Sequence, residues 1–215
     1  MDPDDLELFA AAGICPVGET TRVLDEYINM AKRTIEGQDL GVLYDFDNDL
    51  GSFRFRYNAS YTDKFDQIPT GQFGVINDAQ QSGLVPLYVN LGGFGNLLGI
   101  DGNYDEKHSM RLSWRKGPWG ASLSGLKKGS FIQSSLTLAD GTEYVIPSMT
   151  TMDASIDYRF DLGGSDARLR FAVKNLEDER APIADRFYGF FADAHQDYGR
   201  NYYCLLYTSD AADDP

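Results

Sequence analysis

Stretches of this chain alternate apolar and polar residues with a period of two. In 52–62 one set reads Phe53, Phe55, Tyr57, Ala59, Tyr61 and the other Ser52, Arg54, Arg56, Asn58, Ser60, Thr62. In 152–160 Met152, Ala154, Ile156, Tyr158 and Phe160 alternate with Asp153, Ser155, Asp157 and Arg159. Successive strand side chains point to opposite faces, so each segment has one oily wall and one wet, charged wall. A transmembrane strand needs about 9–11 such residues, and these segments have that length.

A soluble sandwich also alternates apolar-in with polar-out, so the connections carry the next step. Leu40, Val42, Tyr44 and Phe46 lead into 52–62 through the short turn Asp47 to Gly51; Met110, Leu112 and Trp114 meet Trp119, Ala121 and Leu123 through Lys116-Gly117-Pro118. Segment 152–160 reaches Leu169, Phe171 and Val173 through Asp161 to Ala167. At the opposite ends, 63–104 and 176–197 are long, irregular excursions. Short turns on one side and long loops on the other match an outer-membrane barrel, with short periplasmic turns and long outside loops. Tyr44, Phe46, Phe53, Phe55, Trp114, Trp119, Tyr158, Phe160 and Phe171 lie beside the short turns, where an interfacial aromatic girdle belongs.

Composition agrees. Residues are 42% hydrophobic and 13% aromatic with mean hydropathy −0.36, and no stretch approaches the roughly 18 consecutive apolar residues of a transmembrane helix. A formal charge of −14 argues against nucleic acid as a partner, because phosphate binding needs a basic face. The acidic residues gather in turns and loops, where they keep exposed segments solvated.

The chemistry-bearing patterns are mostly empty. Asp45, Asp47 and Asp49 have calcium-loop spacing, but Leu50 stands where glycine is required and Arg56 where glutamate is. Gly93-Phe94-Gly95 does not complete a dinucleotide fingerprint. His108 and His195 are far apart and lack paired carboxylates or cysteines, so neither metal nor other cofactor is expected. No nucleophile with a spaced base stands out, so the chain does not read as an enzyme. Asn58-Ala59-Ser60 matches a glycosylation acceptor but sits mid-strand. Loops on a rigid barrel carry function, so the loop aromatics Phe73, Tyr88, Phe94, Phe187, Tyr188, Phe190 and Phe191 are candidates for a solute-capturing surface. Asn175, Asp178 and Arg200 read as polar groups that fix strand-to-loop exits.

The ends differ from the middle. Residues 1–21 carry no charged start followed by an apolar run; Asp2 to Gly13 instead reads as a short helix with an Asp cap, an early Pro and a closing Gly, on an outside loop remnant. Tyr202-Tyr203 should lead into a final strand, but Cys204 to Pro215 loses alternation and turns acidic. That tail resembles translated sequencing-adapter DNA, which leaves Cys15 as an odd thiol whose disulfide partner would lie outside this sequence.

Val173-Lys174-Asn175-Leu176-Glu177-Asp178-Glu179-Arg180-Ala181-Pro182 resembles the VxNLxDExxP segment that opens the last outside loop of TonB-dependent outer-membrane receptors. Tyr198-Gly199-Arg200-Asn201-Tyr202-Tyr203 resembles the GRxYY start of their closing strand. Arg33 to Leu40 is similar to the family's kGvel strand start, and Thr151 to Phe160 to its third-last strand. Together these motifs span about 22–203, with Asn175, Leu176, Asp178, Pro182, Gly199 and Arg200 as motif positions. The resemblance implies import of a large scarce solute, a metal chelate such as a siderophore or an oligosaccharide, across the Gram-negative outer membrane. It also implies a wider barrel set in lipid, and a plug, not present in this sequence, coupled to the TonB complex. The arginines at the periplasmic rim would face that plug. The alternatives are a passive porin-like barrel and a soluble all-β binding protein.

The expected fold is all-β: an antiparallel up-and-down meander forming a partial, unclosed transmembrane β-barrel. Strands are expected at 24–46, 52–64, 105–115, 119–138, 142–160, 167–175 and 198–203, with a bulge near Ala31 to Thr34. Asp140-Gly141 should close a hairpin that projects beyond the membrane. The strands near 33–46 and 198–203 should remain unpaired edges, and Phe53, Phe55, Tyr57, Met152, Ile156, Tyr158, Leu169 and Phe171 should share the convex face. Residues 1–21, 22–203 and 204–215 are the three expected parts.

Overall fold

The computed structural model describes residues 31–86 and 93–209. Its elements run β1 (Ala31–Asn48), β2 (Gly51–Pro69), α1 (Gly71–Gln81), β3 (Gly95–Asn96), β4 (Glu106–Lys116), β5 (Trp119–Lys128), β6 (Phe131–Thr137), β7 (Glu143–Ile146), β8 (Met149–Leu162), β9 (Ser165–Lys174) and β10 (Asn201–Ser209). The main sheet has the order β1-β2-β4-β5-β8-β9-β10, antiparallel throughout, with β3 added beside β2 and β6-β7 as a separate hairpin. Among the described residues β1 pairs only with β2 and β10 only with β9, so the meander does not close and keeps two free edges.

Register carries the alternation across the sheet. Phe46↔Phe53↔Trp114↔Ala121↔Ile156↔Phe171↔Cys204 is one row of directly opposed residues, and Val42↔Tyr57↔Met110↔Gly125↔Met152 is another. Opposed residues share a face, so the apolar sets of all seven strands form one continuous surface. Nothing among the described residues covers that surface: Val42, Leu112, Ile156 and Phe171 are 40–54% exposed. The other face carries the Asp, Arg and Ser sets. Polar residues of six strands line a single hollow of about 530 Å³, which puts the charged face on the concave side. The turns are tight: only Asp49-Leu50, Gly117-Pro118 and Gly163-Gly164 separate the paired strands. Beside them Phe46 stacks on Phe53 at 4.7 Å and Trp119 packs on Tyr158 at 4.6 Å, as an interfacial girdle would.

Several boundaries depart from expectation. The bulge lies at Glu36/Gly37, where Asp63 is the extra residue on β2, and not near Ala31 to Thr34. A Cβ on Gly37 would meet the Tyr61 carbonyl oxygen at 2.4 Å, so the close approach needs glycine there. β2 runs on to Pro69, and the excursion after it holds α1 and β3. α1 has neither a capping side-chain bond at Thr70 nor any buried residue, so it leaves little periodic signal. The two long strands expected at 119–138 and 142–160 each break, at Gly129-Ser130 and Pro147-Ser148. The Gly129 N–H still donates to Glu106 O at 2.9 Å, one step beyond the last β4–β5 pair, so the break follows directly after it; at the other break Pro147 has no N–H to offer a ladder. The upper pieces become the β6-β7 hairpin, turning at Asp140-Gly141, where Asp140 Oδ1 accepts from both Thr142 N and Oγ1. β10 starts at Asn201 and continues through Ser209. Pairing depends on the main chain, so it persists where the side chains stop alternating. Residues 1–21 and Cys15 lie outside the described residues.

Above the wall sits a small core of its own. Phe131 and Ile146 from the hairpin pack with Ala184, Phe191 and Ala194 from the 176–200 loop, flanked by Tyr104 and Tyr144.

Candidate functional site

Two places on the concave side concentrate polar chemistry: the loop cap above the wall and the arginine-lined hollow below it. The cap is hung from the end of β9. Asn175 and Asp178 adopt left-handed φ of 53° and 59°, a conformation that Asn and Asp tolerate best after glycine. The Asn175 side chain brackets the turn, donating to Glu179 O at 2.8 Å and accepting from Glu179 N at 2.9 Å, while its own N–H donates to Asp153 Oδ1. Leu176 N donates to Met152 O at 2.6 Å. Across the loop, Arg200 N donates to Asp178 Oδ1 at 2.7 Å, and Gly199, at φ 65°, brings the two ends together. The side chains of Asn175 and Asp178 and the main-chain N–H of Arg200 thus make hydrogen bonds at the two ends of the loop, while the Arg200 guanidinium turns to Tyr202 Oη. Pro182 follows them into the loop.

A second clamp was not legible from spacing. Arg180 grips Asp197 through both carboxylate oxygens and Ala181 N donates to the same group at 3.0 Å. The Arg180 guanidinium first, then that N–H, hold the Asp197 carboxyl down to about 2. Gln133, fully buried, pairs with the main chain of Asp185, accepting from its N–H and donating to its carbonyl, both at 3.0 Å. Its place between Phe131 and Ser135 on alternating positions was the one available signal. His195 is 2% exposed, stacks on Phe131 at 5.7 Å, and has no hydrogen-bond partner at either ring nitrogen among the described residues. Burial, and then the nearby Lys128 ammonium, push its pKa below the ordinary histidine value. Lys128 itself donates to Ala194 O. Because Lys128 lies on the concave face, the 176–200 loop folds over that face.

The aromatic candidates separate. Phe187, Tyr188 and Phe190 form a run of ring contacts at 4.9 and 6.2 Å, with Phe187 94% exposed. Phe191 is buried, edge-on to Phe131 at 5.0 Å with the Arg186 guanidinium over its ring. It is therefore a packing residue of the cap and does not belong to an open capture surface. Phe94 pairs with Phe73 at 5.6 Å, and no ring contact joins that pair to Phe187, Tyr188 and Phe190. Tyr88 lies outside the described residues. Beneath the cap, Ser124, Leu126, Thr151, Asp153, Lys174, Gln196 and Tyr198 help line a hollow of mixed character of about 530 Å³. Among the described residues no group of three or more His, Cys, Asp or Glu side chains is arranged to hold a metal ion.

Lower on the wall the rows are cationic. Arg54 pairs with Asp45 at 2.8 Å, and Asp157 takes Arg115 at 3.3 Å and Arg168 at 2.7 Å. Arg170 donates to Ser155 Oγ at 3.1 Å.

An unclosed antiparallel meander with an uncovered apolar face, a charged concave face, tight turns at one end and a loop cap at the other is a length of β-barrel wall. The family model described as TonB dependent receptor-like, beta-barrel, matches residues 5–176, and the chain belongs to that family. The match begins earlier than the motifs at 22 and stops before Asp178 to Tyr203. No curated protein and no solved structure matches the chain.

Proposed function

We propose that this chain is part of the wall of an outer-membrane transporter that brings a large, scarce solute, a metal chelate or an oligosaccharide, into the periplasm. The remaining strands, and a plug that couples the barrel to the TonB complex, would come from sequence outside this chain. The observation that supports this best is the seven-strand apolar face left open to its surroundings, opposite a charged concave face. Lipid satisfies the first and a water-filled path the second. On this reading Phe187, Tyr188 and Phe190, with Phe94 and Tyr88 as more distant contributors, meet solute arriving from outside, and the Asn175, Asp178 and Arg200 exits hold their loop in place.

The test is uptake by the full receptor carrying this chain. Deleting 179–197 should reduce uptake well beyond deletion of turn residues 163–165, at matched surface abundance, because only the former reaches the outside. Equal defects from the two deletions would remove the loop from solute capture.

A further inference from the structure

The chain carries a formal charge of −14, yet the lower part of its concave face is positive. Five arginines, Arg54, Arg111, Arg115, Arg168 and Arg170, line the hollow of about 530 Å³ against Asp45, Asp47 and Asp157. Asp45 is taken by Arg54, and Asp157 is shared by Arg115 and Arg168. Arg111 and Arg170 are left without a carboxylate partner among the described residues. Register makes the imbalance sharper: Arg56 stands directly opposite Arg111, and Arg159 directly opposite Arg168, on the same face. Like charges in opposed positions destabilise a sheet unless something of opposite sign lies between them. Three guanidinium nitrogens at this wall, Arg115 Nη1, Arg168 Nε and Arg170 Nε, are buried and have no hydrogen-bond partner among the described residues. A buried donor left unmade is costly, and guanidinium forks match the two oxygens of a carboxylate or phosphate.

We propose that this arginine-lined hollow is a binding site for oxyanions, the carboxylate or phosphate groups of a negatively charged solute on its way through the barrel. The inference rests on the transporter reading and narrows it: the solute is anionic, and a neutral oligosaccharide would gain nothing from these rows. Arg111 lines the hollow and Arg56 stands opposite it on β2, with Asp45, already held by Arg54, as the carboxylate near Arg56; the two guanidiniums would take one oxyanion between them, and Arg170 extends the site along β9. The ion pairs at Asp45 and Asp157 hold the neighbouring guanidiniums in place.

The full 215-residue chain, folded into zwitterionic phosphatidylcholine vesicles and checked by far-UV circular dichroism for strand content, is titrated calorimetrically with citrate and, separately, with inorganic phosphate. Vesicles without anionic headgroups leave the added anion as the source of any signal. The expected result is saturable binding of at least one of the two anions. It should weaken tenfold or more in R56Q/R111Q, stay unchanged in R33Q at the other end of β1, and fall away at about 1 M salt, where charges are screened within about 3 Å. Absence of binding, or equal binding by R56Q/R111Q and the parent, overturns the proposal; a row that served only an acidic protein segment gives that same null. Protease protection in the same vesicles reads insertion separately. Insertion without anion binding sinks the oxyanion site alone, and anion binding without insertion sinks the wall reading alone.

Discussion

The wall and the cap above it bury their apolar residues in opposite ways. On the wall, Leu112 is 40% exposed and Phe171 54%, with nothing among the described residues to cover them; in the cap, Phe131 and Ile146 are at most 2% exposed within a core built from a hairpin and a loop. The first arrangement is stable only where the surroundings are as oily as the side chains. The second is the ordinary solution of a water-soluble protein. One chain thus uses two solvents, and the boundary falls where β5 and β8 break at Gly129-Ser130 and Pro147-Ser148.

The largest effect tests the wall. In detergent-free buffer the chain should aggregate through its open apolar face and the free edges of β1 and β10, whereas lipid vesicles should yield a folded, inserted form. A monomer with a cooperative thermal transition in plain buffer would erase the contrast between the two regions.

Next comes the cap. Phe131→Ala should cost about 3–5 kcal/mol locally, as large core truncations do. Amide exchange should speed up in 176–200 while β4 and β5 keep their protection. Uniform loss across the wall would show that the cap is no separate unit.

Acid should open the cap in a milder way. His195 has a lowered pKa in the folded state, so the unfolded loop binds the proton more readily, and the stability this group contributes is present above about 6.5 and lost as pH falls below it. Lys128 is the neighbouring charge that worsens protonation. Faster exchange around 190–197 at pH 5 than at pH 7, abolished in His195→Phe, is the expected outcome. Identical exchange at the two pH values would mean that the ring is not held neutral by its surroundings.

The smallest effect concerns Asp197. Its contribution is present above the ordinary carboxylate range and lost as pH falls from about 4 toward about 2. Asp197→Asn should loosen the Arg180 end of the loop at neutral pH without touching the hairpin core. A variant whose 179–197 proteolysis matches the parent would place the hold on the loop elsewhere, at Asn175 and Asp178.

Much of the wall was legible because period two is a strong, local signal. Phe53, Phe55 and Tyr57 needed only one another to mark a face. The free edges and unclosed meander followed from the small number of strands. The cap was not legible in the same way. Phe187, Phe190 and Phe191 are alike in sequence, and which one is buried depends on Phe131, far away along the chain. The bulge was misplaced because apolar register slips gradually, whereas the close backbone approach at Gly37 is a tertiary fact. The arginines could be assigned a face from alternation. That Arg56 opposes Arg111 required the pairing of β2 with β4.

The triad of Arg115, Asp157 and Arg168 also bears on mechanics. β4 and β8 stand two strand spacings apart, roughly 10 Å at the backbone, yet Arg115 meets Asp157 at 3.3 Å by reaching across β5 on its concave side. It can do so because β5 offers Gly120 there: a Cβ at that position would come within 2.7 Å of Arg115 Nη2 and 2.9 Å of both Asp157 oxygens. The ionic link acts as a bowstring stretched over a missing side chain. To flatten, the wall would have to lengthen that string, so the sheet is biased toward a definite radius before any neighbouring strand joins it. Gly120→Ala should slacken the string and flatten the arc, leaving every backbone ladder in place.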